Sequence, residues 1–279
     1  MTSFGTRFAA AVRDRGQLCV GIDAHPALLH EWGLNDDVAS LERFTGTVIE
    51  AIGDLVAVVK PQSAFYERFG SRGIAVLESN IRHLRDAGTL VLLDVKRGDI
   101  GSTAAAYADA YLDPASPLFA DAITASPYLG FGSVVPMIDK ALKNDAGVFV
   151  LTLTSNPEAP AVQHATGPDG RTVAQTLIDE VSQLNTGAHP LGSIGLVVGA
   201  TIGRTGHDFS SVNGPILVPG MGVQGGTAAR LQEIFGDRLG AVLPSTSREV
   251  LAAGPDVAAL RDAAERARAA CQAVLAGRQ

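Results

Sequence analysis

Cysteine is scarce in this sequence: Cys19 and Cys271 are the only two in 279 residues. Two thiols so far apart form neither a disulfide framework nor the paired spacing of a structural zinc site, so both read as structural thiols. Long apolar runs are missing too. The N-terminal stretch "MTSFGTRFAAAVRDRGQ" has a short apolar segment broken by Arg13, without the long h-region of a signal peptide. No run approaches membrane-spanning length, and a soluble cytoplasmic protein is the expectation. Basic charge is in deficit, with 22 Lys and Arg against 29 Asp and Glu, a net charge of -7. That field repels nucleic acid and anionic membranes, so any anionic ligand must be held by local groups. His30, His83, His164, His189 and His207 show neither metal nor triad spacing. No linker or charge block divides the chain, and one domain over residues 1–279 is expected.

What is present is a series of short apolar runs in a chain that is 46% hydrophobic, enough to fill a substantial core. They are "LCVGID" (18–23), "VAVVK" (56–60), "TLVLLDVK" (89–96), "DAITASP" (121–127), "GVFVLTLTS" (147–155), "GSIGLVVGAT" (192–201), "PILVPGMG" (215–222) and "GAVLPSTSR" (240–248). Continuous rather than alternating runs suit parallel strands covered on both faces, since neither face meets water. Eight of them match a (β/α)8 TIM barrel. The intervening segments read as helices: Ile74, Leu77, Ile81 and Leu84 fall on one face before a stop at Gly88, and 36–53, 132–144 and 226–236 serve likewise. Val257, Leu260, Ala264, Ala267, Cys271 and Val274 mark another helical face. The alternative, an open doubly wound sheet, needs a Gly-rich fingerprint after the first strand, where this chain has "GIDAHP".

Each run ends in polar residues: Asp23, Lys60, Asp94 with Lys96, Ser126, and Ser247 with Arg248. In a barrel these ends converge on one mouth. The densest cluster is "TLVLLDVKRGDIGST" (89–103), where charge arrives at the end of a core strand. Burying a charge costs several kcal/mol unless partners are supplied, so something must offset it. Asp94 and Lys96 are two apart, hence on one side of a strand with Cα atoms about 6.6 Å apart. Carboxylates on either side, Asp94 and Asp99, would stabilise the ammonium form of Lys96 and make it a proton donor rather than an amine nucleophile. A divalent metal on the two Asp residues is the weaker alternative, because the intervening ammonium repels a cation. "VPGMGVQGG" (218–226) and "PSTSREVLAAG" (244–254) follow strands seven and eight, where barrels often hold phosphate through glycine-exposed N–H groups, and Arg248 can fork onto its oxygens. His25 follows Asp23 closely enough to touch a ligand. The Pro/Gly-rich stretch 154–171 is either ordered by ligand or a passive excursion.

These residues resemble a family. "DVKRGDIGST" is similar to the Asp-x-Lys-x-x-Asp-Ile pattern of orotidine 5'-phosphate decarboxylases, and "GIDAHP", "VVKPQSAFYERFG", "TASPYLG", "PGMGVQGG" and "STSREVL" resemble that family's further motifs, in order, from residue 18 to about 254, especially in its longer bacterial subgroup. A sugar-phosphate decarboxylase of the same superfamily shares the central motif, but Lys60, Ser126 and Gln224 favour the pyrimidine nucleotide enzyme. The resemblance implies a homodimeric barrel with shared sites that converts orotidine 5'-phosphate to UMP and carbon dioxide without metal or organic cofactor. It implies Asp23 and Lys60 on the ribose hydroxyls, Asp94 beside the substrate carboxylate and Lys96 as proton donor. Asp99, Ile100 and Thr103 would enter the partner's site. Ser126 would bind the pyrimidine edge, Gln224 would bridge base and phosphate, and Gly225 with Arg248 would hold the phosphate. Ser126 stands where many subgroup members carry Asn.

Overall fold

A computed structural model describes residues 2–221, 225–236 and 239–276. Eight parallel strands close on themselves in sequence order: β1 (Cys19–Ile22), β2 (Val58–Pro61), β3 (Leu90–Arg97), β4 (Ala122–Ala125), β5 (Gly147–Leu153), β6 (Ile194–Val198), β7 (Ile216–Pro219) and β8 (Val242–Thr246). β8 pairs back onto β1, Cys19 with Ser245 and Val20 with Thr246, which removes both sheet edges and excludes the open doubly wound alternative. The strands are buried along almost their whole length, as their unbroken apolar runs require.

The helices, in chain order, are α1 (Phe4–Arg15), α2 (Pro26–Glu31), α3 (Val38–Ile52), α4 (Ala64–Glu67), α5 (Gly70–Asp86), α6 (Gly101–Leu112), α7 (Val135–Lys143), α8 (Pro160–Gln163), α9 (Val173–Leu184), α10 (Ala228–Phe235), α11 (Arg248–Leu251) and α12 (Val257–Ala276). Helix α5 buries Leu77, Ile81 and Leu84 as their spacing predicts, and Gly88 follows it at φ +74°. Helix α12 turns Leu260, Ala264, Ala267 and Cys271 inward. Helix α6, "GSTAAAYADAYL", is rich in alanine and carries little periodic signal of its own.

The apolar residues sort into two layers. One lies between strands and helices; the other fills the barrel and includes Cys19, Leu92, Phe149, Leu217 and Leu243. Helix α1 closes the end where the strands begin. Ser3 caps it by accepting from the Thr6 N–H, and Phe4 and Phe8 seal the floor, Phe4 meeting Phe149 edge-on at 6.0 Å. Phe4→Ala would leave a void costing about 3–5 kcal/mol. Gly147 is required there, because a Cβ on it would sit 2.5 Å from the Phe4 ring. With the floor sealed, the opposite end, where the strands finish, is the open one.

Candidate active site

At that open end four charged side chains from three strands alternate in sign. Asp23, just past β1, holds Oδ1 3.9 Å from Nζ of Lys60 on β2. Lys60 Nζ donates to Asp94 Oδ2 on β3 at 3.0 Å and to Gln62 Oε1 at 3.3 Å. Asp94 Oδ1 receives Lys96 Nζ at 2.7 Å and the Thr124 hydroxyl, from β4, also at 2.7 Å. Lys60 and Asp94 are buried, at 5% and 7% exposure, whereas the Lys96 side chain is 44% exposed and faces the cavity.

Mutual pairing is what makes this burial tolerable. Desolvation alone would neutralise Asp94, but the Lys60 and Lys96 ammonium groups outweigh it and hold its carboxyl well below the usual carboxylate range. Burial opposes the charge on Lys60 as well, and Asp94 and Asp23 together push its pKa above the ordinary lysine value. Asp94 therefore stays a carboxylate and Lys60 an ammonium. Asp23 Oδ1 is buried and makes no hydrogen bond, and it faces the Lys60 ammonium at 3.9 Å. Burial pushes the Cys19 thiol up to about 12 and the Cys271 thiol to about 11, which makes poor nucleophiles of both. Among the described residues no cluster of three or more His, Cys, Asp or Glu side chains is placed to hold a metal ion.

Two cavities flank the row and share Lys60 and Pro219. The smaller, about 110 Å³, is lined by Asp23, His25, Gly220, Met221 and Ser245 to Arg248. The larger, about 280 Å³, has Gln62, Asp94, Lys96, Thr124, Thr154 and Ser155 as its polar lining and Leu151, Val197 and Leu217 as its apolar wall. Together they offer an elongated ligand a basic, hydroxyl-rich end and a flatter apolar end beside Lys96. A third cavity, of about 850 Å³, lies at the opposite end around Arg7, Arg85, Phe119 and Asp121. There Arg7 pairs with Asp121, Asp121 accepts the Val91 N–H at 3.0 Å, and Arg85 stacks over Phe119 at 4.6 Å. That arrangement braces α1 against the strand starts.

Sequence reasoning brings Asp23, Lys60, Asp94, Lys96 and Arg248 to this mouth, and the structure places them there. Gly225 lies in the loop after β7 at φ +91°, where glycine is favoured; Gln224 lies outside the described residues. Asp99 does not reach Lys96 within the chain. Its Oδ1 accepts the Ile100 N–H at 2.8 Å, and Ile100, 62% exposed, and Thr103, also exposed, line neither cavity. Ser126 lies just past β4 beside Lys96, whose carbonyl accepts from its hydroxyl at 3.1 Å, and it lines neither of the two cavities. Thr154 and Ser155, just past the end of β5, line the larger cavity. Sequence reasoning also passes over Gln62 and Thr124. Gln62 stands two after Lys60, the same-side relation that joins Asp94 to Lys96, and Thr124 is an uncharged polar residue inside a buried run, so both carried a signal. The stretch 154–171 is tied to the site by Gln163, which accepts the Thr154 N–H at 2.9 Å and donates to the Thr154 hydroxyl at 2.8 Å.

Residues 16–263 match the family model described as orotidine 5'-phosphate decarboxylase / HUMPS family. The chain belongs to that family. It is 69% identical over 277 residues to the orotidine 5'-phosphate decarboxylase of Salinispora tropica, covering 99% of this chain and 100% of that one. It is 58% identical over 266 residues to the enzyme of the same name from Streptomyces coelicolor, covering 95% of this chain and 96% of that one. Among solved structures it is similar to a protein from Streptomyces avermitilis assigned as an orotidine 5'-phosphate decarboxylase, with a TM-score of 0.96 and 56% identity over 99% of this chain and 97% of that one. For a decarboxylase family member, an ammonium group fixed beside a carboxylate at the cavity wall has an evident use.

Proposed function

We propose that this chain decarboxylates orotidine 5'-phosphate to UMP and carbon dioxide, the last step of de novo pyrimidine nucleotide synthesis, acting as a single catalytic barrel in the cytoplasm. The observation that carries the reading is the alternating row Asp23, Lys60, Asp94, Lys96 at the junction of a phosphate-sized and a base-sized cavity. Arg248 and the Gly225 loop bind the phosphate, with Gln224 bridging it to the base. Asp23, whose Oδ1 makes no hydrogen bond within the chain, and Lys60 bind the ribose hydroxyls. Ser126 reads the pyrimidine edge, with Thr154 and Ser155 lining the base-sized cavity.

The carbon–carbon bond breaks with its electron pair left on the ring carbon, and carbon dioxide departs. The Lys96 ammonium stabilises that developing charge and then gives the carbon a proton, regaining one from solvent. Asp94 and Lys60 keep Lys96 oriented. Negative charge on Asp94 beside the substrate carboxylate also raises the ground state, relieved as carbon dioxide leaves. Phosphate contacts remote from the bond contribute binding energy to the transition state. No metal or organic cofactor enters this scheme.

The reading includes a homodimer. Ile100, Tyr128 and Leu129, 62%, 80% and 54% exposed, sit just past the adjacent strands β3 and β4, an apolar rim that a second copy would cover. Asp99, Ile100 and Thr103 would then enter the partner's site. No described helix is long and apolar enough to cross a membrane, and two free buried thiols fit a reducing compartment. The test is to incubate purified protein with orotidine 5'-phosphate and follow UMP and carbon dioxide, with and without EDTA. Formation of UMP that EDTA leaves unchanged is expected. No UMP, with metal-dependent turnover of a sugar phosphate instead, overturns the assignment.

A further inference from the structure

We propose that Thr124 and Ser126 are positioning residues: their hydroxyls hold the Lys96 peptide in a left-handed conformation that turns its ammonium back onto Asp94. The inference rests on the reading of Lys96 as proton donor.

The starting point is a mismatch between neighbouring strands. Leu93 pairs with Ile123 and Arg97 with Ala125, so four steps along β3 run beside two along β4. The surplus chain bulges, and Lys96 has no β4 peptide in register to satisfy it. Its backbone stands at φ +46°, a region that an L side chain occupies only where its surroundings over-determine it. Glycine would relieve the strain but supplies no ammonium.

Two hydroxyls replace the missing ladder bonds. The Lys96 N–H donates to Thr124 Oγ1 at 2.9 Å, and the Lys96 carbonyl accepts from Ser126 Oγ at 3.1 Å. Thr124 is the β4 residue between the two that pair, 1% exposed, and so stands opposite the bulge. A hydroxyl has one proton and two lone pairs. Thr124 gives the proton to Asp94 Oδ1 at 2.7 Å and a lone pair to the Lys96 N–H. Asp94 Oδ1 in turn receives Lys96 Nζ at 2.7 Å. Lys96 is thereby gripped at both ends of its side chain through one threonine. The same proton fixes the rotation of the carboxylate, leaving Oδ2 for Lys60 at 3.0 Å. Close approach secures the far side, since a Cβ on Gly98 would meet the Ser126 carbonyl oxygen at 2.3 Å.

The test compares Thr124→Val, which keeps the shape and loses the hydroxyl, with Thr124→Ser, which keeps the hydroxyl. Misplacing a reacting group by 1 Å costs on the order of 100-fold, so Thr124→Val should lower kcat by about that factor with little change in KM or in UMP affinity. Thr124→Ser should recover most of the rate. Unchanged kcat in Thr124→Val, or equal damage in both variants, overturns the proposal, the latter assigning Thr124 to packing. A crystal structure of Thr124→Val separates this from the underlying reading. Lys96 leaving the positive-φ region and Nζ leaving Asp94 support the inference even if the wild type makes no UMP; an unmoved Lys96 overturns it even if it does. Should Thr124→Val not fold, Ser126→Ala, at a half-buried position, takes its place. A displaced Lys96 peptide with lowered kcat then supports the proposal, and an unmoved peptide with unchanged kcat overturns it.

Discussion

Replacing Asp94 with Asn keeps the side chain's shape and removes one charge from the row, and Lys60 sets the cost. Lys60, 5% exposed, would keep only the Gln62 amide oxygen at 3.3 Å and the Asp23 carboxylate at 3.9 Å. Removing one partner of a buried ion pair destabilises by about 3–5 kcal/mol. The loss also acquires a pH dependence that the wild type lacks. In the wild type the folded-state pKa of Lys60 is raised, so its contribution is fully present below the unfolded lysine value of about 10.4 and is lost only as pH rises through the folded one. Neutral pH lies on the flat part. In Asp94→Asn, burial prevails and the folded pKa falls below the unfolded one. The unfolded chain then binds more protons, so stability rises with pH by up to about 1.4 kcal/mol per unit. Urea unfolding between about pH 6 and pH 9 measures this. Trp32, the only tryptophan, reports it, because its indole N–H donates to the Leu251 carbonyl at 3.0 Å inside the core. The variant should be weakest at pH 6 and approach the wild type at pH 9. A loss below about 1 kcal/mol, or curves parallel across the window, would show that Lys60 does not depend on Asp94 for its charge.

Lys96→Ala should lose several powers of ten in turnover while still binding UMP, each tenfold corresponding to about 1.4 kcal/mol of barrier; near-normal turnover removes Lys96 from the chemistry. Arg248→Ala should impair orotidine 5'-phosphate severely but change the slow decarboxylation of the phosphate-free nucleoside little, and equal losses on both would assign Arg248 to the fold. Lys96→Ala and Asp99→Ala chains, each nearly inactive alone, should complement on subunit exchange. Half the dimers are then mixed, each with one intact site, so activity approaches roughly one quarter of wild type per total site. Heterodimers proven by mass spectrometry but without activity would place Asp99 in its own subunit's site.

Much of this architecture was written in local pattern. Eight unbroken apolar runs separated by helical segments require a parallel sheet covered on both faces, and "DVKRGDI" announces its charge at the end of one of them. Helix α5 could be read from the spacing of Leu77, Ile81 and Leu84, because a helix pairs residues three and four apart and each contact is local. The polar strand ends were equally plain, since a residue's place in its own strand needs no partner to define it.

The order of the charged row, by contrast, depends on residues 30 and more apart, Thr124 with Asp94 and Lys60 with Asp94, meeting across the barrel mouth. Register decided that. The same register shift set the Ser126 hydroxyl against the Lys96 carbonyl, while Thr154 and Ser155 came to the cavity wall from the end of β5. Helix α1 became the floor because Phe4 and Phe8 found Phe149 and Gly147 on the far side of the sequence. The elements, and the chemistry available at their ends, followed from periodicity and residue type, which act over a few residues. Which hydroxyl holds which charge was settled only when the barrel closed, because a two-residue surplus on β3 has no local signature and exists only relative to β4.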